Sequence, residues 1–292
     1  MFNTMNEVLQ RIERIKSVFL DTQLVYAKND DIDALIIYLE NTEIEFSSIA
    51  YESASMAIAL KDIEHNGKLD TWVLYANGSG LAHKAQVYVG LGWAIAKLNL
   101  PFLSVVEKIE TRLYFRIADG CGYYDGSFRQ RQTVLSQQLP VYIPQAALPM
   151  YDQGVGRSFW YTTNDDINKI RSKIENFPAG RQPDLWRGVG IAVAYVGGCD
   201  EETLKTLVHY AATNSLQLTC GAALAANSRM QANTMTTDTD HCSRLWFMLT
   251  AGEANIFFPD PVDTAGIGNE AAYLNWITQI EEGLSNSFEK RN

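Results

Sequence analysis

The chain has 292 residues, 47% hydrophobic and 20% charged, the proportions of a soluble globular protein with room for one large core or two smaller ones. Lys and Arg number 24 against 34 Asp and Glu. The resulting charge of −10 argues against nucleic acid or an anionic membrane as partner and favours simple solubility. Cys121, Cys199, Cys220 and Cys242 show no CxxC spacing, so they read as reduced, buried thiols of a cytoplasmic protein. The N-terminus alternates charged and apolar residues, unlike a targeting peptide, and the apolar runs 87–96 and 189–198 are too short for a membrane span.

The first segment carries Val8, Leu9, Ile12, Ile15, Val18 and Phe19 at helical spacing. Asn29 is the expected cap of a second helix, with Asp30 and Asp31 in its first turn and Ile32, Leu35, Ile36 and Leu39 inward. A third runs from about Ser47 to His65 and stops at Gly67; its stretch Ser53-Ala54-Ser55-Met56-Ala57 is small almost all round. After the break 77–80, a helix covers Leu81 to Leu98 with a similar surface at Gly90, Gly92, Ala94 and Ala96. The spacing of Val105, Val106, Ile109, Leu113 and Ile117 predicts a helix over 102–117. Gly120, Gly122 and Gly126 then argue against regular helix across 119–128, because glycine there is costly. A polar helix (129–138) and a proline-bounded loop (140–149) follow, leading to Asp152–Trp160.

Asn164 opens a helix to Phe177, broken by Pro178-Ala179-Gly180. Pro183 begins the helix that holds Trp186 to Val196 and ends at Gly197-Gly198. Asp200 caps a helix to Ala212, and 214–229 repeats the small-residue surface through Gly221, Ala222, Ala223, Ala225 and Ala226. A polar loop (234–240), a short helix (241–249), an irregular stretch (252–269) and an amphipathic helix (271–288) complete the chain. No segment alternates with period two over more than five residues, so the expected fold is all-α.

A shift of 135 positions lays Asn164-Asp165-Asp166-Ile167 on Asn29-Asp30-Asp31-Ile32, and Arg187–Tyr195 on Glu52–Leu60. The ordered matches suggest one domain of two pseudo-symmetric helical repeats, about 18–98 and 155–229, with a connector at 99–154 and a tail at 230–292. Glu52 and Arg187 fall on equivalent positions with opposite charge, so an ion pair between them is expected.

No GxSxG, phosphate-loop or dinucleotide motif is present. His65, His83, His209 and His241 sit on four different elements, so neither metal nor cofactor is expected. The densest ligand-type cluster, 238–242, reads as a loop and helix cap. Glu52, Asp119, Asp125, Asp152, Arg157, Arg187 and Arg229 lie among glycine and small apolar neighbours, and paired structural bridges are their simplest reading. The functional reading is a central polar patch lined by Tyr123, Tyr124, Trp160 and Trp186, where Glu52 or Asp119 moves a proton. Asp125, Asp152, Arg157 and Arg187 join the aromatics as candidate ligand-binding residues.

Five segments in order, 50–56, 89–96, 119–128, 152–160 and 184–198, resemble a bacterial family of unknown function found in polyketide gene clusters of the enediyne type, the UnbL-like proteins. The resemblance spans about Val18 to Arg229. It departs at Tyr123-Tyr124-Asp125, where an aromatic-His-Glu run is expected, and along the C-terminal tail. It implies an accessory role in specialised metabolism, acting on or holding a hydrophobic polyene-derived small molecule; the leading reading is a binder of such a molecule that works, if it is an enzyme, without a cofactor. The alternative is a helical module that binds a biosynthetic partner protein and performs no catalysis.

Overall fold

The computed structural model describes residues 7–29, 31–107, 109, 113–258 and 270–291. It is all-α, with no strand among the described residues. Seven long helices form a row: α1 (Glu7–Asn29), α3 (Ile44–Asn66), α5 (Lys84–Leu98), α7 (Tyr114–Phe128), α8 (Leu148–Thr162), α10 (Gln182–Val196) and α12 (Ser215–Gln231). Shorter helices return the chain between them: α2 (Ile32–Glu40), α4 (Asp70–Asn77), α6 (Phe102–Val106), α9 (Ile167–Glu175) and α11 (Glu201–Ala211). α13 (Thr237–Phe247), α14 (Ala251–Ala254) and α15 (Glu270–Arg291) follow.

Members of the row run parallel, because contacts climb adjacent helices together. Arg14 reaches Glu43, Ser53 bonds the Phe19 carbonyl and Gln23 meets Met56. Farther along, Cys121 meets the Gly92 carbonyl and Arg129 that of Ala96. The long helices from α3 onward are buried over much of their circumference, whereas α2, α9 and α11 bury a single stripe, such as Leu204, Leu207 and Ala211. The row also curls back on itself. Arg229 near the end of α12 donates to the carbonyls of Tyr195, Thr234 and Glu45, joining α12 to α10 and to the start of α3.

Close approach within the row follows one rule. In α5, α7, α8 and α10 a Gly-x-Gly pair faces both ways, the first glycine toward the preceding long helix and the second toward the next. Gly92 and Gly120 meet across α5 and α7, Gly122 and Gly154 across α7 and α8, Gly156 and Gly188 across α8 and α10, Gly190 and Gly221 across α10 and α12. A Cβ at any of these would lie 1.8–2.1 Å from a neighbour's carbonyl oxygen. In α3, Ser53 and Ser55 take the two roles, bonding the Phe19 and Val87 carbonyls. Ser53, Gly90, Gly120, Gly154, Gly188 and Gly221 recur every 30–37 positions, so one long helix with its return is the unit that organises the row. α9 does lie 135 positions from α2, a shift that spans four such units.

Several local expectations change. The glycine-rich segment 119–128 is regular helix within α7, because Gly120 and Gly122 remove side chains that would collide with neighbouring backbone and Gly126 one that would collide with the Ser158 side chain. The expected helix over 102–117 stops at Val106 and resumes at Tyr114, and 81–98 begins with a 3-10 turn before α5. α4 was not foreseen; it buries Trp72, Tyr75 and Ala76. Asp31 and Asp166, rather than Asn29 and Asn164, cap their helices by accepting from Asp33 and Lys169 backbone N–H groups. Within the expected polar helix, Arg131–Leu135 winds as a π turn. α13 begins inside the expected loop, capped by Thr236. Residues 259–269 of the expected irregular stretch lie outside the described residues.

Candidate functional site

The small residues flanking Glu52 let α1 and α5 close on α3, and leave its carboxyl 2% exposed inside the curled row. Arg157 of α8 brings Nη2 to 3.9 Å from Glu52 Oε2, while its Nη1 bonds the Asp119 carboxylate of α7. Gln153 donates to Asp119 Oδ2 at 2.6 Å and in turn accepts from the Tyr273 hydroxyl of α15 at 3.2 Å. One helical turn beyond Asp119 and Arg157 stand Tyr123 and Tyr161, their ring centres 5.5 Å apart. Arg157 also lies 4.8 Å from the Tyr123 ring centre.

Glu52 Oε2 has no hydrogen-bond partner. Burial raises the Glu52 carboxyl to about 7; Arg157 opposes the rise and Asp119 adds to it. Arg157 makes its short contact with Asp119, so only part of its charge acts on Glu52. Burial works against the guanidinium, but Asp119 and Glu52 together hold it charged well above the usual range.

Beside Glu52 opens a cavity of about 630 Å³. Ile15, Lys16, Phe19, Leu20 and Gln23 of α1, Ile49 and Met56 of α3, and Trp93 and Lys97 of α5 line one part of it. Tyr123, Tyr124, Ser127 and Phe128 of α7 and Tyr161 and Thr162 of α8 line the rest. The rings interlock: Trp93 stands edge-on to Tyr123 at 4.8 Å and tilted to Phe19 at 4.8 Å. Burial, the largest influence, lifts the Tyr161 hydroxyl to about 12. Such a volume with a few polar groups suits a small organic ligand.

Of the residues singled out from the sequence, Glu52, Tyr123 and Tyr124 line this cavity, and Arg157 and Asp119 stand behind Glu52. Asp119 is fully buried and acts on the cavity through Arg157. The others lie elsewhere. Asp125 accepts from Tyr142, Tyr151 and Arg129 at 2.7–2.8 Å, tying α7 to α8 and the loop between them. Asp152 pairs with Arg181, Nε to Oδ2 at 2.8 Å, and Trp160 and Trp186 are core side chains away from the cavity lining.

The expected Glu52–Arg187 pair is not formed. Both are buried, but Arg187 pairs with Asp184 and, at 3.0 Å, with Glu281 of α15. Matching positions on parallel helices meet only where the helices are neighbours, and α3 and α10 are not neighbours in the row. Burial raises the Asp184 carboxyl to about 6 against the pull of Arg187.

Trp93, Tyr161 and the α1 face were missed as site residues. Tyr161 had a signal: Asp119–Tyr123 and Arg157–Tyr161 are both i, i+4 pairs, which share a helix face. The cluster 238–242 serves structure, Asp238 pairing with Arg11 at 3.0 Å and Asp240 accepting from the Ala251 N–H. No group of three His, Cys, Asp or Glu side chains among the described residues has the geometry of a metal site. No described helix is long and apolar enough to cross a membrane.

Comparison with curated proteins and with solved structures finds no match. A model for a family described as "Protein of unknown function (DUF1702)" matches residues 2–284, a span containing every residue of the cavity and the charge cluster behind it. By that match across nearly its whole length, the chain belongs to the DUF1702 family, whose function is unknown.

Proposed function

We propose that the protein binds a hydrophobic small molecule in the cavity beside Glu52 and acts on it as a cofactor-independent enzyme, with Glu52 moving a proton. The observation that carries this reading is a carboxyl group with an oxygen that accepts no hydrogen bond, its nearest cation Arg157 at 3.9 Å, at an otherwise mainly apolar and aromatic cavity of about 630 Å³. A purely structural carboxylate is matched by donors, as Asp125 is by Tyr142, Tyr151 and Arg129; Glu52 is not. A carboxyl near 7 has both its acid and its base form available at neutral pH, the condition for general acid–base work. The setting is an accessory step in polyketide-type specialised metabolism, and its support is the resemblance of five ordered motifs to the UnbL-like proteins. A partner-binding module would not require a hollow of this size beside a buried acid, so binding of a small molecule is the better account.

The test is titration with diphenylhexatriene, a neutral conjugated hydrocarbon that fluoresces in apolar surroundings. We expect saturable binding at one site, abolished in Ser127→Trp, which fills the cavity from its lining. Circular dichroism of the variant confirms that it folds. Unsaturable binding, or equal binding by a folded Ser127→Trp, would show that this cavity is not a ligand site.

A further inference from the structure

We propose that the substrate is an apolar molecule carrying an enolisable carbonyl, its oxygen held by the Tyr161 hydroxyl while the Glu52 carboxylate transfers a proton between its carbons. This inference rests on the reading of the cavity as a small-molecule site and adds the chemical class of the ligand. Tyr161 and Glu52 line the same cavity. Tyr161 stands beside Tyr123, their ring centres 5.5 Å apart, and as a phenol in the cavity wall it can donate its O–H to a ligand. A donor so placed suits a carbonyl oxygen, and suits it better once that oxygen carries charge.

Glu52 is suited to the other half of the reaction. No protein group hydrogen-bonds its Oε2, so the carboxylate is not committed to a structural donor. Arg157 stands 3.9 Å from that oxygen, and its charge also acts on the Tyr161 hydroxyl, so one cation serves both groups between which negative charge would move. Burial keeps the carboxyl at about 7, so the base is populated at neutral pH and is stronger than an ordinary carboxylate.

The step balances without a cofactor. The Glu52 carboxylate takes a proton from the carbon next to the carbonyl, breaking C–H and forming O–H. The C–H electron pair becomes the new C=C bond, and the carbonyl π pair moves to oxygen, giving an enolate that accepts from Tyr161. The Glu52 carboxyl then returns the proton. Return to the same carbon gives exchange with solvent-derived hydrogen after the carboxyl has equilibrated with water. Return to the far end of a conjugated dienolate moves the double bond.

Three compounds test this: 2-methylnaphthalene as apolar body, 2-naphthol as an enolate mimic, and 2-tetralone as an enolisable ketone. We expect 2-naphthol to bind about tenfold tighter than 2-methylnaphthalene, the upper range for one neutral hydrogen bond. Tyr161→Phe should erase that preference while still binding 2-methylnaphthalene. Proton NMR in D₂O should show the protein accelerating loss of the 2-tetralone α-protons, and Glu52→Gln should lose at least about a hundredfold of that acceleration, the lower end of the range for general-base catalysis. Binding of all three compounds with no preference for naphthol and no exchange would overturn the enolisation inference and leave the cavity as a ligand site. Failure of all three to bind would overturn both readings.

Discussion

At Glu52, burial and the Arg157 guanidinium act on the carboxyl in opposite directions, and burial prevails, leaving it at about 7. The folded state therefore keeps a proton between the ordinary glutamate value of 4.5 and 7 that the unfolded chain has released. The stabilising effect of the neutral form is complete below 4.5 and is lost as pH rises through 7. At pH 8 the ionised carboxylate then costs roughly 3 kcal/mol relative to a neutral side chain of the same shape. Glu52→Gln should thus be more stable than the parent by up to about that amount at pH 8, and nearly equal to it at pH 4.5. Denaturant melts at the two pH values decide it; a variant less stable at pH 8 would mean that Arg157 depends on the Glu52 charge. A stabilising change that abolishes proton transfer is the trade expected of a functional residue.

At the scale of the helix, the Gly-x-Gly pairs explain how parallel helices sit so close. Glycine inside a helix costs roughly 1 kcal/mol against alanine, yet here it lets neighbouring carbonyls rest where a Cβ would otherwise be. Gly122 is the sharpest case, since its Cβ would stand 1.8 Å from the Tyr151 carbonyl oxygen of α8. Gly122→Ala should destabilise by about 3 kcal/mol or more, because α7 and α8 must separate to admit it. Gly180 is the control. Nothing lies within 4 Å of its Cβ position, so Gly180→Ala should be neutral or stabilise by roughly 0.5–1 kcal/mol by restricting the unfolded chain. Thermal melts of the pair test the point: equal effects would mean that the helix crossings tolerate adjustment.

At the scale of the molecule, the row curls so that α12 returns to the start of α3. Arg229 is the tie, its guanidinium donating at 2.7 and 2.8 Å to the Tyr195 and Thr234 carbonyls and at 3.3 Å to that of Glu45. Glu45 lies in the first turn of α3, the helix that also carries Glu52, so the tie and the candidate site share one element. Arg229→Met leaves those carbonyls without their charged donor, which costs about 1.5–3 kcal/mol for a charge-assisted bond. Hydrogen exchange should quicken at the first turns of α3 and the last turn of α12 before it does so in α7 and α8. Uniform quickening throughout would mean that the molecule opens only as a whole and that Arg229 closes nothing in particular.

The sequence by itself determined the helical class, most helix positions and the importance of the small residues, because hydrophobic period, caps and glycine act over a few residues along one helix. It also marked Glu52, Tyr123, Tyr124, Asp119 and Arg157, since a charge or ring set among small apolar neighbours is destined for the interior. Tertiary structure decided the rest. The glycines of 119–128 read as helix breakers until α5 and α8 stand beside them. Arg187 looked like the partner of Glu52 until α15, distant in sequence, supplied Glu281 and the row placed Arg157 nearer. The cavity was illegible for the same reason: its walls come from five helices between Ile15 and Thr162, and only their curled, parallel stacking makes them walls of one space. Local rules say which residues turn inward; which of them meet depends on the order and direction in which whole helices pack.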